Sequence, residues 1–180
     1  MNKTTIRSQI LEKRKSLNPN LIAELSKKIV KHIIHSDLYQ QAQHVALYQP
    51  FNGEVDLTAL LSVKNKQHYL PSIRDKQMQF QLYNDAMLLD KHKYGLTQPN
   101  FIEQLPTAQL DLCLMPLVGF DLCGNRLGMG GGFYDRYFEN NKTTQLAGIG
   151  YQFQQQNRLP AHSWDVKINH LFTEHGHHKL

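Results

Sequence analysis

Long apolar runs are missing from this 180-residue chain. A bilayer-spanning helix takes roughly 20 consecutive apolar residues, so the sequence predicts no transmembrane helix and no membrane partner. The basic, amphipathic start (residues 1–17) lacks the apolar stretch of a secretory signal. Cysteine is scarce, with only Cys113 and Cys123. Two thiols in apolar neighbourhoods make no disulfide framework, and they are expected as reduced core or near-core residues of a cytoplasmic protein. Charged residues are 19% against 41% hydrophobic, which excludes general disorder. Internal repeats and low-complexity linkers are absent, so residues 1–180 are expected as a single domain. The formal net charge of +5 suits an anionic ligand without choosing among nucleic acid, nucleotide and polyanionic metabolite. A nucleic-acid module would interleave aromatics with basic residues or carry a known motif, and neither is found.

Helical spacing of Ile6, Ile10 and Leu17 predicts a helix over 2–17, with Lys3, Arg7 and Arg14 on an adjacent stripe. Asn18-Pro19 reads as N-cap and first turn of a second helix reaching about Tyr39, with Ile22, Leu25, Ile29 and Ile33 inward. Apolar runs predict strands at 44–50, 68–73, 110–118 and 145–153, and a last one around His170–Thr173. In 78–84, Met78, Phe80 and Leu82 alternate with Gln79, Gln81 and Tyr83. That predicts a half-exposed strand antiparallel to its predecessor across the Arg74–Gln77 turn. Asp56 is expected to cap a helix burying Leu57, Leu60 and Leu61, and 85–109 to be loop-rich around Gly95, Pro99 and Pro106. Strands alternating with helices imply an α/β fold whose mostly parallel sheet is covered on both faces.

The strongest chemical signal is Gly124–Arg136. Five glycines fall within residues 124–132, between a buried strand and an expected helix at Phe133–Asn140. Backbone N–H groups in such a turn approach an anion closely, and a helix N-terminus adds partial positive charge. Arg126 and Arg136 supply guanidinium forks suited to phosphate oxygens. Asp135 beside a phosphate suggests a divalent cation, since Mg²⁺ is commonly held by one or two carboxylates plus phosphates. The loop lacks the Gly-Lys-Ser/Thr ending of a Walker loop, and Phe133 replaces the third glycine of a dinucleotide fingerprint. A tight strand-to-helix corner is the plainer alternative.

The segment Asp111–Phe138 resembles the signature of the 5-formyltetrahydrofolate cyclo-ligase family, also called 5,10-methenyltetrahydrofolate synthetases. Lys3-Thr4-Thr5-Ile6-Arg7 resembles the family's N-terminal ATP-contacting K-x-x-x-R, and Tyr48–Asp56 its folate-contacting Y-x-P-x-x-x-E-V-D stretch. Leu70-Pro71, Gly95–Pro99, Tyr151–Gln156, Leu159-Pro160 and Asp165 resemble further family blocks in the same order. The resemblance implies a Rossmann-like, three-layer α-β-α fold with a mixed, mostly parallel sheet. It implies conversion of 5-formyltetrahydrofolate to 5,10-methenyltetrahydrofolate with ATP and Mg²⁺, in a cytoplasmic monomer with no nucleic-acid role. Carried over residue by residue, Lys3, Thr4, Thr5, Ile6, Arg7 and the run Arg126, Leu127, Gly128, Met129, Gly130, Gly131, Gly132, Phe133, Tyr134 contact ATP. Gln49, Glu54 and Met129–Phe133 contact the folate, Arg126 and Asp135 are catalytic, and Asp135 and Asp165 hold the metal.

Departures from the pattern are Gln98 where relatives often carry Glu, Leu57 for a frequent Thr, and Met129 where a cation is common. A non-catalytic binder on the same scaffold is the rival within this resemblance. His175, His177 and His178 are expected in a frayed polar tail, Trp164 as a stacking platform or core anchor, and Arg136 in a salt bridge within its helix. Cys123 has no neighbouring His in sequence to suggest an activated thiol.

Overall fold

Asn18 and Pro19 punctuate the first two helices of the computed structural model, which describes residues 2–91, 95–105 and 107–180. The expected turn at Pro106 lies outside the described residues. Helix α1 (Lys3–Lys15) is capped by Asn2, whose side chain accepts from Thr5 N, and it buries Ile6, Ile10 and Arg14. Helix α2 (Pro19–Ile34) starts on the Asn18 side chain. It stops before the expected Tyr39, because Ser36 caps a separate short helix, α3 (Asp37–Gln41), by accepting from Tyr39 N. Ile29 and Ile33 are fully buried, each contributing about 1.5–3 kcal/mol.

The main sheet holds β1 (His44–Ala46), β2 (Gln67–Arg74), β3 (Gln77–Leu82), β6 (Leu112–Pro116), β9 (Gln145–Ile149), β10 (His170–Thr173) and β11 (Gly176–Lys179). Between them lie two small hairpins, β4 (Leu89–Lys91) with β5 (Thr97–Pro99), and β7 (Gly119–Phe120) with β8 (Arg126–Leu127). Strand order is β11-β10-β9-β6-β1-β2-β3, with parallel pairing throughout except at the two edges. Alternate residues serve opposite faces. Val45, Leu47, Leu112, Leu114, Ala147, Ile149 and Phe172 join Ile29 and Ile33 on one side. Ala46, Cys113, Met115, Leu146 and Leu171 join Phe138 on the other, where helix α4 (Phe133–Phe138) lies. The fold is therefore α/β with a mostly parallel mixed sheet buried on both faces, as expected.

Several details differ from the sequence expectation. Asp56 is not the cap itself but precedes the N-cap, Leu57, and accepts from Thr58 N and Thr58 Oγ1; the element is a 3-10 helix, Thr58–Ser62. Leu57 and Leu60 are buried there, and Leu61 is half-buried. The glutamine face of β3 is not solvated. Gln81 is buried and donates to Ser72 Oγ and Asn100 O, because the segment after β5 covers that face, while Leu82 is exposed. The histidine-rich tail is no frayed end, since Gly176–Lys179 pairs antiparallel with β10. Helix α4 is six residues long, shorter than expected, so its dipole adds little at its start. No helix among the described residues is long and apolar enough to cross a membrane.

Candidate functional site

In open α/β sheets the ligand crevice forms beyond the carboxyl ends of the parallel strands. Three central neighbours, β9, β6 and β1, deliver the predicted residues there. Beyond β1 lies the 47–57 loop with Gln49 and Glu54. Beyond β6 lie the β7–β8 hairpin and the glycine-rich loop, and beyond β9 the Tyr151–Gln154 turn. The hairpin is an element the sequence reading missed. Its turn is organised by Asp121, fully buried, which accepts from Cys123 N, Asn125 N, Asn125 Nδ2 and Leu159 N. Burial works to raise the Asp121 carboxyl, but those hydrogen bonds outweigh it and hold the group below its ordinary value.

The amino-terminal helix reaches this loop with two cations. Lys3 Nζ donates to Asp165 Oδ2 at 2.5 Å, and Arg7 Nε donates to Gly128 O at 2.9 Å. Arg126 Nη2 donates to Asp135 Oδ1 at 2.6 Å, and the same oxygen accepts from Val166 N at 3.0 Å. Val166 follows Asp165, so one contact brings the two predicted metal ligands to adjoining positions. Gly130 has φ +101°, a left-handed turn that glycine permits, and the Arg7 guanidinium lies beside it. Among the described residues, no backbone N–H from Gly128 to Gly132 donates to a protein acceptor. Met129 is exposed, and Phe133 and Tyr134 are half-buried.

The remaining ATP-set positions divide by environment. Thr4 is exposed, and Thr5 is tied to Asn2 through both its N–H and hydroxyl. Ile6 and Leu127 turn their side chains into a core cluster with Ile10, Val118 and Leu159, and their main chains are bonded too, Ile6 N donating to Asn2 O and Leu127 O accepting from Val118 N. Ile6 also lines a cavity of about 550 Å³ with residues 155–160. A second cavity of about 730 Å³ lies at the far edge, between Phe80, Leu82, Leu88, Pro99 and Ile102, and contains none of the predicted residues.

On the other side of the crevice, Gln49 is half-buried and Glu54 is buried. Glu54 Oε2 accepts from Phe51 N at 3.1 Å, and Oε1 faces Arg14 Nη2 at 3.5 Å. Burial pushes the Glu54 carboxyl up to about 7, with Arg14 and the Phe51 N–H bond pulling the other way. Tyr48 closes the strand end as a core residue, donating to Val55 O. Burial raises the Tyr134 phenol well above its ordinary value, and the Cys113 thiol and Glu54 carboxylate add to that. Tyr134 thus feels charge from both halves of the crevice, and the Arg126 guanidinium lies 6.0 Å from its ring centre.

The donor set fits phosphate and a magnesium ion. Arg126 Nε is buried with no partner, a donor in want of an anionic oxygen. Each aspartate uses one oxygen on protein, Asp135 Oδ1 and Asp165 Oδ2, and its other oxygen has no protein donor among the described residues. Two available carboxylate oxygens match Mg²⁺, which is usually completed by phosphates and water. No group of three or more His, Cys, Asp or Glu gathers among the described residues, so an all-protein cage is not the pattern.

Other expectations need correction. Arg14, on the stripe with Lys3 and Arg7, is buried at 1% exposure rather than solvated. Arg136 makes no salt bridge within its helix; it donates to Lys76 O and lies over the Phe133 ring. Trp164 is no core anchor, being exposed and stacked on His162. Cys113 is buried and Cys123 exposed, and both are free. Gln154, absent from the predicted set, is buried and ties three main-chain groups, accepting from Tyr151 N and donating to Leu117 O and Val118 O. Its sequence signal was only its place within the Tyr151–Gln156 block.

Residues 1–174 match the family described as the 5-formyltetrahydrofolate cyclo-ligase family. The chain is 35% identical over 179 residues to 5-formyltetrahydrofolate cyclo-ligase of Haemophilus influenzae, covering 92% of this chain and 96% of that one. It is 30% identical over 174 residues to the protein of that name from Escherichia coli, covering 91% and 96%. The solution structure of Aquifex aeolicus 5,10-methenyltetrahydrofolate synthetase superposes with a TM-score of 0.86 at 32% identity, covering 99% of this chain and 93% of that one. A 5,10-methenyltetrahydrofolate synthetase from Mycoplasma pneumoniae gives 0.75 at 28% identity, covering 97% and 99%.

Proposed function

This chain belongs to the 5-formyltetrahydrofolate cyclo-ligase family, and from that premise we propose that it converts 5-formyltetrahydrofolate to 5,10-methenyltetrahydrofolate at the expense of ATP. The observation that carries the proposal is the convergence of Lys3, Arg7, Arg126, Asp135 and Asp165 around the glycine-rich loop, with Glu54 across the crevice.

A formamide oxygen is a poor leaving group. In the proposed first step that oxygen attacks the γ-phosphorus of ATP. An O–P bond forms, the bridging P–O bond breaks, and ADP leaves with the electron pair. Nitrogen 10 of the same folate then attacks the activated carbon, forming the ring C–N bond and losing its proton. The C–O bond breaks, and inorganic phosphate departs with its electrons. The second attack is intramolecular and gains from proximity. The protein's work is alignment and charge neutralisation, as in other phosphoryl transfers.

Lys3 and Arg7, with the loop amides from Gly128 to Tyr134 and Arg126, are proposed to bind the triphosphate. The cavity beside Ile6 offers room for the nucleoside. Asp135 and Asp165 would hold Mg²⁺, which supplies charge neutralisation on the phosphates. Gln49 and Glu54 are assigned to the folate, with Met129–Phe133 where the two substrates meet. Two free thiols suit a reducing cytoplasm.

The test is the appearance of methenyl-folate absorbance. Turnover is expected only with ATP and magnesium together. Asp135→Ala is expected to cut turnover at least about 100-fold while circular dichroism stays unchanged, and Arg126→Ala to weaken ATP binding more than folate binding. Turnover without ATP would sink the mechanism, and full turnover by Asp135→Ala would remove the metal assignment. A wild-type protein that binds both substrates without product would be a non-catalytic binder.

A further inference from the structure

Arg14 is the one charged side chain of α1 in the core, exposed by 1%. Its neighbours Lys13 and Lys15 are exposed. From that buried position the guanidinium makes three approaches. Nε donates to Asn52 O at 2.9 Å, Nη1 donates to Leu117 O at 3.3 Å, and Nη2 stands 3.5 Å from Glu54 Oε1 with no other partner. Asn52 and Glu54 belong to the loop beyond β1, and Leu117 follows β6. The loop is shaped around the arginine. Gly53 has φ +73°, and a Cβ there would fall 3.1 Å from Arg14 O and 3.4 Å from Arg14 Cγ.

A buried ion pair is a poor source of stability, because desolvating two charges offsets most of their attraction. A well-packed apolar pair would hold α1 against the loop as firmly. What an arginine supplies here, and an apolar residue does not, is a rigid fork that fixes a carboxylate. Its Nη2, lacking a full hydrogen bond, is directed at the one Glu54 oxygen that Phe51 N does not hold.

We infer that Arg14 is a positioning residue: its guanidinium fixes the Glu54 carboxylate and ties the folate-side loop to the helix that carries Lys3 and Arg7. The inference rests on the reading of Glu54 as a folate contact. It adds a route by which the two substrate sides share one rigid part. Arg14 on α1 and the Phe51 N–H both act on Glu54, and the Glu54 charge in turn raises the phenols that face it, Tyr48 after β1, Tyr134 on α4 and Tyr151 after β9.

The experiment is steady-state turnover with folate and ATP varied separately, across pH 6–9, on wild type, Arg14→Gln, Arg14→Lys and Glu54→Gln, with folding checked by circular dichroism and urea titration. If Glu54 must be ionised to accept from folate, wild-type kcat/KM for folate falls below about pH 7. Arg14→Gln is expected to raise the folate KM about tenfold or more, since removing one member of a buried charge pair leaves the other uncompensated. It is also expected to move the acid limb up by about 1–3 pH units, the usual effect of removing a nearby opposite charge. Its ATP KM should stay within about twofold of wild type on the same scale. Arg14→Lys keeps the charge without the fork, so its folate KM rises while its acid limb moves less. Should Arg14→Gln not fold, Arg14→Lys carries the test through its folate KM.

A folded Arg14 variant with unchanged folate KM and acid limb, beside an impaired Glu54→Gln, overturns the role of Arg14 alone. Loss of stability with no movement of the limb and an equal rise in both KM values also overturns it, leaving Arg14 as packing. Wild-type folate KM in Glu54→Gln instead removes the folate reading, and the inference with it.

Discussion

Gln98 presents its amide to the main chain of Ile73 as a neighbouring strand would. Its Oε1 accepts from Ile73 N at 3.0 Å, and its Nε2 donates to Ile73 O at 2.9 Å. An amide has both the donor and the acceptor this needs, whereas a carboxylate has acceptors only. The glutamine therefore secures β5 to β2 and has no evident part in the crevice. Gln98→Glu is expected to lower unfolding free energy by about 1–3 kcal/mol, the cost of leaving a largely buried carbonyl unsatisfied. KM for either substrate should not change. Urea denaturation with parallel kinetics checks this, and a changed folate KM at wild-type stability would return Gln98 to the site. Leu57 is likewise structural, lying in the main core as the N-cap of the 3-10 helix, and Asp56 before it holds the first turn by accepting from Thr58 N.

The C-terminal hairpin of β10 and β11 shows why some elements were legible in the sequence and others were not. Strands β6 and β9 are apolar on both faces, so near-continuous runs announced them, whereas β10 offers only Leu171 and Phe172 between buried His170 and Thr173. Strand β11 is Gly-His-His-Lys, with nothing buried enough to impose a pattern, and it exists because β10 offers it an edge. The covered face of β3 escaped for a related reason: polar side chains bonded to an overlying loop look the same in sequence as solvated ones. The tail histidines now have defined surroundings. His170 Nδ1 and His177 Nε2 are 3.0 Å apart, and the His177 ring stacks on Phe172 at 4.3 Å. Burial lowers the pKa of both imidazoles below 6.5, with His177 and Lys179 adding to it at His170. At His177 the charge of His178 adds to it and Asp37 opposes it. A group whose folded pKa is depressed binds more protons when unfolded, so stability falls as pH drops below the unfolded value of about 6.5. His68, buried and lowered by burial and Lys66, acts with the same sign. Glu54, raised to about 7, acts with the opposite sign over the same window, so the imidazole contribution is read as a difference: between pH 7.5 and pH 5.5 unfolding free energy is expected to fall less, or rise more, in His177→Gln than in the wild type. Identical pH dependence in the two proteins would show that the imidazole pair does not contribute.

Over the whole molecule, the site is an assembly of chain segments far apart in sequence, and this limited what could be read in advance. The glycine-rich loop and the Lys3–Arg7 pair carried enough pattern to be picked out, and the fold does bring them together. Arg14 did not, because a helical stripe gives the direction of a side chain but not what waits at the end of it. Lys3 offers the clearest separation of scaffold from function. Its pair with Asp165 is partly exposed, at 23% and 21%, and such pairs are worth about 1 kcal/mol or less. Burial tends to raise the Asp165 carboxyl, but hydrogen bonds from Lys3 and His162 N hold it below its ordinary value. Lys3→Met should therefore cost at most about 1 kcal/mol, or about 2–4 °C in melting temperature for a chain of this size. Bound ligand reverses the emphasis. Mg-ATP at about 100 times its Kd stabilises the wild type by about 2.7 kcal/mol, roughly 5–11 °C on the same scale. If Lys3 binds phosphate, a tenfold weaker Kd in Lys3→Met removes about 1.4 kcal/mol of that, shrinking the ligand-induced shift by about 3–6 °C. Thermal melts with and without Mg-ATP measure both quantities on one sample. A variant that loses intrinsic stability but keeps the full ligand shift would make Lys3 a structural brace for the 162–166 loop and leave triphosphate binding to Arg7, Arg126 and the loop amides.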